Sequence, residues 1–157
     1  MTQAFKQLSD DVILLHQNTN HLMFATQQNS NNPNIGYAPY IVLNNCYYIA
    51  LPRKDVEIHN LHLAPQVAVL LIENINECQK TSLTWIVMAR AMSLHESRYS
   101  TAFTILKKYA GKMLLDNMEE ICLCEFRPQQ GKLLSHNGIS YTLDGYDLCF
   151  INTSIAA

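Results

Sequence analysis

At 157 residues, 48% apolar and 15% charged, the chain can bury one full core but not a second, so a single domain over 1–157 is expected. A formal net charge of -2 with no clustered basic face argues against nucleic acid, and a charged fraction below the roughly 25% of ordinary domains points to a surface partly covered by another chain. No apolar run approaches the roughly 18 residues that span a bilayer, and no basic leader with an apolar core opens the sequence, so no membrane association and a cytoplasmic location are expected.

In chain order, Gln3 to Gln17 sets Phe5, Leu8, Val12 and Leu15 at intervals of three and four, the stripe of an amphipathic helix. "HLMFATQ" (His21 to Gln27) reads as a strand, and the Asn-rich "QNSNNPN" (Gln28 to Asn34) as a turn. The return strand is Ile35 to Leu43, and Asn44 with Asn45 makes a tight turn into a third strand, Cys46 to Leu51. A helix is expected from Arg53 to Ala64, with Val56, Leu61 and Leu63 as its apolar contacts and Pro65 as its stop.

Gln66 to Glu73 is apolar on both faces, with Val67, Val69 and Leu71 on one and Ala68, Leu70 and Ile72 on the other, which places it between two buried layers. Thr84 to Leu94 has the same character with Arg90 in its middle. A helix from Arg98 to Ala110 presents Tyr99, Phe103, Leu106 and Ala110 on one face. Short strands at Ile121 to Pro128, Lys132 to Ser135 and Ile139 to Gly145 close the chain. This order predicts a mainly β, α+β fold in which an antiparallel sheet curls into a barrel with helices outside.

Five cysteines (Cys46, Cys78, Cys122, Cys124, Cys149) are scattered and mostly set among apolar residues, as reduced core thiols are. Cys122 and Cys124 alternate on one strand and face the same way. His59 and His62 are three apart on a helix, but no Cys or carboxylate pattern completes a tetrahedral site, so no metal centre is expected. No dinucleotide-binding or P-loop glycine pattern is present, and no local signature of nucleophilic catalysis stands out.

"LMFATQQNSNNPNIGYAPYIV" (Leu22 to Val42), "HNLHLAPQVAVLLIE" (His59 to Glu73), "FRPQQGKLL" (Phe126 to Leu134) and "GISYTLDGYDL" (Gly138 to Leu148) resemble, in order, motifs of the FMN-binding split-barrel family. That family includes pyridoxamine 5'-phosphate oxidase, and the haem-utilisation proteins are the branch most similar here; the resemblance covers residues 20 to 148. It implies a split β-barrel and a homodimer with FMN in clefts between the subunits. It further implies a redox flavoprotein related to haem utilisation, in which the flavin does the chemistry.

The candidate cofactor contacts are Arg53, Lys54, His59, Asn60, Trp85 and Arg90. Cations at a helix start suit a phosphate, Trp85 has a face for an isoalloxazine ring, and Arg90 within an apolar strand needs an anion or an ion pair. The family's phosphate-site residues are replaced here by Pro52, Val56, Glu57 and Thr84, so two readings stay open. Either the shifted cations hold the phosphate, or they are surface residues. Tyr37, Tyr40 and Tyr141 lie in the resembling motifs as further candidates to line the cleft. The haem-utilisation relatives supply an axial His from a C-terminal tail, which has no His here, and His136 is the candidate substitute. The alternatives are a haem-binding or haem-degrading protein without FMN, and a barrel that serves only as a dimeric interaction module.

Overall fold

The structure, a computed structural model, describes residues 3–27, 33–73, 80–110 and 120–148. Helix α1 (Gln3–Gln17) leads into β1 (His21–Gln27), β2 (Pro33–Leu43) and β3 (Cys46–Pro52), then α2 (Val56–Leu63), β4 (Gln66–Ile72) and β5 (Ser82–Ala91). Helix α3 (Ser97–Ala110), β6 (Ile121–Leu134), β7 (Ser140–Asp144) and a 3-10 turn (Gly145–Leu148) complete it. All strands run antiparallel in the order β3-β2-β1-β4-β5-β6-β7, and β3 also pairs with β6, which closes six strands into a barrel and leaves β7 as an added strand. This is the expected split barrel with flanking helices. Among the described residues no helix is long and apolar enough to cross a membrane.

Alternation builds the interior. Leu22, Phe24, Tyr47, Ile49, Val69, Leu71, Leu83, Trp85 and Phe126 point inward and are capped by Val12 and Leu15 of α1. A second core forms outside, where Tyr99, Ala102, Phe103 and Leu106 of α3 cover Tyr48, Ala50, Ile121 and Leu123. Burial of each large side chain there contributes about 1.5–3 kcal/mol. The strand buried on both faces is therefore β3, together with the first half of β6. This corrects the expectation for β4, whose Ala68 and Ile72 are exposed and Leu70 half-buried, because no element among the described residues covers that face.

Local chemistry sets the corners. Asn44 and Asn45 both take positive φ (52° and 62°), the left-handed pair that a two-residue hairpin requires. The two short strands expected at Ile121 to Pro128 and Lys132 to Ser135 are one continuous strand. Pro128, which has no N–H to donate, sits where the register with β5 shifts between Ile86 and Val87, and the bulge lets the ladder resume at Gln130. The expected turn at 28–34 lies outside the described residues up to position 32, and β2 starts at Pro33.

Helix α2 starts three residues later than expected. Asp55 is its N-cap, with its carboxylate accepting from the Glu57 N–H at 2.9 Å, and Arg53 and Lys54 lie in the turn before it. The helix buries Glu57, Asn60 and Leu61, whereas Val56 and Leu63 are exposed, which reverses two of its three expected apolar contacts.

Candidate functional site

Because side chains alternate across a strand and register aligns neighbours, the uncovered outer face resolves into cross-strand rows. One row runs Tyr37–Met23–Leu70–Thr84–Lys132–Thr142 from β2 through β1, β4, β5 and β6 to β7. The next runs Ile35–Ala25–Ala68–Ile86–Gln130. The small Ala25–Ala68 pair between larger neighbours makes a recess, and the two rows, Tyr37 apart, line an apolar cleft of ≈ 490 Å³. Its polar groups, Thr84, Gln130, Lys132 and Thr142, gather on the β5–β7 side, and Lys132 is the one cation among the lining residues. A smaller pocket of ≈ 270 Å³ adjoins it through shared Met23 and Leu70 and adds His21, Tyr37, Ile72, Glu73 and Lys80.

A polar cluster lies under α2. The Thr26 hydroxyl donates to one Glu57 carboxylate oxygen, Asn34 Nδ2 donates to the other at 2.6 Å, and Asn60 Nδ2 donates to Thr26 Oγ1 at 3.1 Å. Desolvation holds Glu57 above the usual carboxylate range, the Thr26 hydrogen bond offsets part of this, and the nearby Asp55 charge adds to it. The expected phosphate corner thus carries two carboxylates, one capping the helix and one buried beneath it. The Glu57 N–H is already taken by the Asp55 cap, and the adjacent negative charge disfavours an anion there. Arg53 and Lys54 stand exposed in the turn at this corner and do not line the cleft.

The other nominated residues are also dispersed. Trp85 is buried in the barrel, its indole packed under Gly131 and its N–H donating to Tyr47 Oη at 2.9 Å, and it is among the residues that line the cleft. Arg90 shares β5's outer face, does not line the cleft, and pairs within the chain with Glu96 at 2.7 Å and Glu125 at 3.2 Å. His59 is exposed on α2, Asn60 is buried in the Thr26 cluster, and His136 is exposed in the β6–β7 turn; none of them lines the cleft. Thr84 does line it, and Tyr37 edges the adjoining pocket. Tyr40 is buried, with its hydroxyl 2.7 Å from that of Thr19, and Tyr141 packs against the core. Cys122 and Cys124 both face the interior; the hydrogen bond with Cys122, then desolvation, raises the Cys124 thiol.

Sequence reasoning missed the cleft floor (Met23, Ala25, Ala68, Ile86) and its rim residue Lys132. The signal was the double-sided apolar pattern of β4: its second face is apolar, and no element among the described residues covers it.

No protein-family model matches the chain. The curated haem oxygenase HutZ of Vibrio cholerae serotype O1 is 23% identical over 160 residues, covering 94% of this chain and 91% of that protein. A solved haem-binding protein from Mycobacterium smegmatis superposes with a TM-score of 0.76 at 14% identity over 88% of this chain, which spans only 58% of that longer one. A Clostridium acetobutylicum protein of the pyridoxinephosphate oxidase family superposes with a TM-score of 0.70 at 10% identity, covering 88% of this chain and 95% of that one. The fold is thus shared by haem-binding and pyridoxinephosphate oxidase-type barrels, as the sequence motifs imply.

Proposed function

We propose that this split barrel binds haem, as haem-utilisation proteins do, that the outer-face cleft receives the macrocycle, and that a second copy of the chain covers it in a cytoplasmic homodimer. The observation that carries this reading is the cleft itself: a ≈ 490 Å³ apolar recess with a single cation, Lys132, on its polar side. A tetrapyrrole needs a largely apolar pocket and a cation for its carboxylates. The likeness to HutZ and to the mycobacterial haem-binding protein supports the same choice. The exposed apolar face continues beyond the cleft through Ile72 and Met88, and a self-complementary contact between two copies would remove it from water.

The chain's contribution is to desolvate the ring against Met23, Leu70 and Ile86 and to hold the carboxylates at Lys132. Bound haem supplies one-electron iron chemistry. A flavin is the second reading, favoured by Thr84, Gln130 and Thr142, which line one side of the cleft with hydrogen-bonding groups. On that reading the protein is an FMN-dependent oxidoreductase whose phosphate rests on Lys132, because Arg53, Lys54 and Arg90 lie elsewhere.

Parallel titration with haemin and FMN tests this, using the wild type and Ala68→Arg, which fills the recess from an exposed position. Saturable haemin binding that Ala68→Arg weakens by about tenfold or more is the expected result. Saturable FMN binding weakened by Lys132→Ala, without haemin binding, transfers the cleft to the flavin. If neither ligand binds, the cleft is only a contact between copies, and sedimentation of Ala68→Arg should then show monomers.

A further inference from the structure

We infer that His21 is the side chain that ligates haem iron in this protein, an inference that rests on the haem reading of the cleft. A haem pocket needs a Lewis base beside the apolar recess, and the lining of the main cleft contains no histidine. The adjoining pocket supplies one. His21 precedes Met23 and Ala25 on the outer face of β1 and lines the adjoining pocket, which shares Met23 and Leu70 with the cleft.

The ring is prepared for this role. His21 Nδ1 lies 2.7 Å from Asn20 Oδ1. An amide oxygen only accepts, so Nδ1 carries the proton and Nε2 keeps its lone pair. Metal-bound imidazoles are commonly oriented by such a donation from the other ring nitrogen. The ring plane is also fixed by stacking on Tyr37, with centroids 4.8 Å apart and 16° between planes.

The other histidines are placed differently. His16 is buried and uses both ring nitrogens, on Val12 O and Tyr47 Oη. His59, His62, His95 and His136 are exposed and line neither the cleft nor the adjoining pocket. Met23 is the competing ligand, since a thioether also binds haem iron and its side chain stands at the join between the two spaces.

The test is haemin titration of the full chain followed by absorbance and electron paramagnetic resonance, for wild type, His21→Ala, Asn20→Leu, Met23→Leu and His136→Ala. The wild type should show a histidine-ligated spectrum. His21→Ala should lose it together with affinity, and added imidazole should restore the spectrum. Asn20→Leu keeps the imidazole but removes its acceptor, and should weaken binding roughly tenfold. Met23→Leu and His136→Ala should retain the wild-type spectrum. A wild-type spectrum in His21→Ala, or its loss in Met23→Leu or His136→Ala, overturns the assignment and leaves haem binding intact. A wild type that binds no haemin overturns the haem reading and this inference together. Circular dichroism of each variant separates loss of ligation from loss of fold.

Discussion

Tyr47 donates its hydroxyl to Nε2 of His16 across 2.8 Å inside the barrel, while His16 Nδ1 is held by Val12 O at 2.7 Å and Trp85 Nε1–H donates to the same Tyr47 oxygen. Helix α1 is thereby tied to β3 and β5 by a fully satisfied buried chain, which permits polar groups in an apolar core.

That chain requires neutral imidazole. Burial lowers His16 from the ordinary 6.5 to about 4, and the Val12 hydrogen bond offsets part of the shift. Above pH 6.5 both folded and unfolded states are neutral. Between there and pH 4 only the unfolded chain takes up the proton, so stability is lost as pH falls. At 1.36 kcal/mol per unit the loss totals about 3 kcal/mol. Urea unfolding at pH 7 and pH 4 should show that His16→Gln loses less stability than wild type by about this amount; equal losses would refute the assignment.

Glu57 has the opposite sign. Its raised pKa means that the folded chain holds a proton more tightly than the unfolded one, and stability is lost as pH rises through the raised value. Glu57→Gln keeps an acceptor for Thr26 or Asn34 and removes the charge. The variant should gain on wild type as pH is raised from 4.5 to 7.5, read from the difference in urea midpoints. A constant difference would mean that the carboxylate costs the fold nothing.

Glu125 is buried and accepts from Tyr48 Oη at 3.0 Å, with Arg90 at 3.2 Å, Arg127 at 3.5 Å and Arg98 at 3.9 Å around it. The arginine side chains are 46–64% exposed, so water takes over when the acid is removed, but the hydroxyl of the buried Tyr48 loses its acceptor. Glu125→Ala should cost about 2 kcal/mol, Tyr48→Phe about 1 kcal/mol, and Arg98→Ala less than about 0.5 kcal/mol. Thermal melts would establish this ranking, and an Arg98→Ala loss as large as that of Glu125→Ala would contradict it.

Gly131 is required by the indole beneath it. A Cβ at that position would meet Trp85 ring carbons at 2.5–2.8 Å. Gly131→Ala should therefore destabilise by about 1–3 kcal/mol through overpacking and shift the emission of Trp85, the single tryptophan. Unchanged fluorescence and melting would show that the strand yields freely.

Most strands were legible because alternation and turn residues are local signals. β1 coincides with its expected bounds, and the Asn44–Asn45 turn follows from side chains that tolerate positive φ. Helix α2 was misplaced at its start because Asp55 outcompetes the preceding cations for the helix N-terminus, a choice between adjacent residues that composition does not reveal. β6 was split in two because Pro128 reads as a break unless its partner strand shifts register to accommodate it. The site was the least legible part. Arg53, Lys54 and Arg90 were nominated for their charge, yet the cleft depends on which residues of separate strands fall into one row, and His21 gains significance only once β1 is laid beside β2 and β4.

The pairing that closes the barrel joins Ile49 to Cys124, with α2, β4, β5 and α3 all lying between them in the chain. Contacts so distant in sequence are entropically expensive to reach and slow folding. While the chain is being synthesised, β3 and β5 are therefore left as open strand edges until β6 emerges. That interval is when the polypeptide is most exposed to mispairing with another copy of itself, and chaperone protection would matter most then.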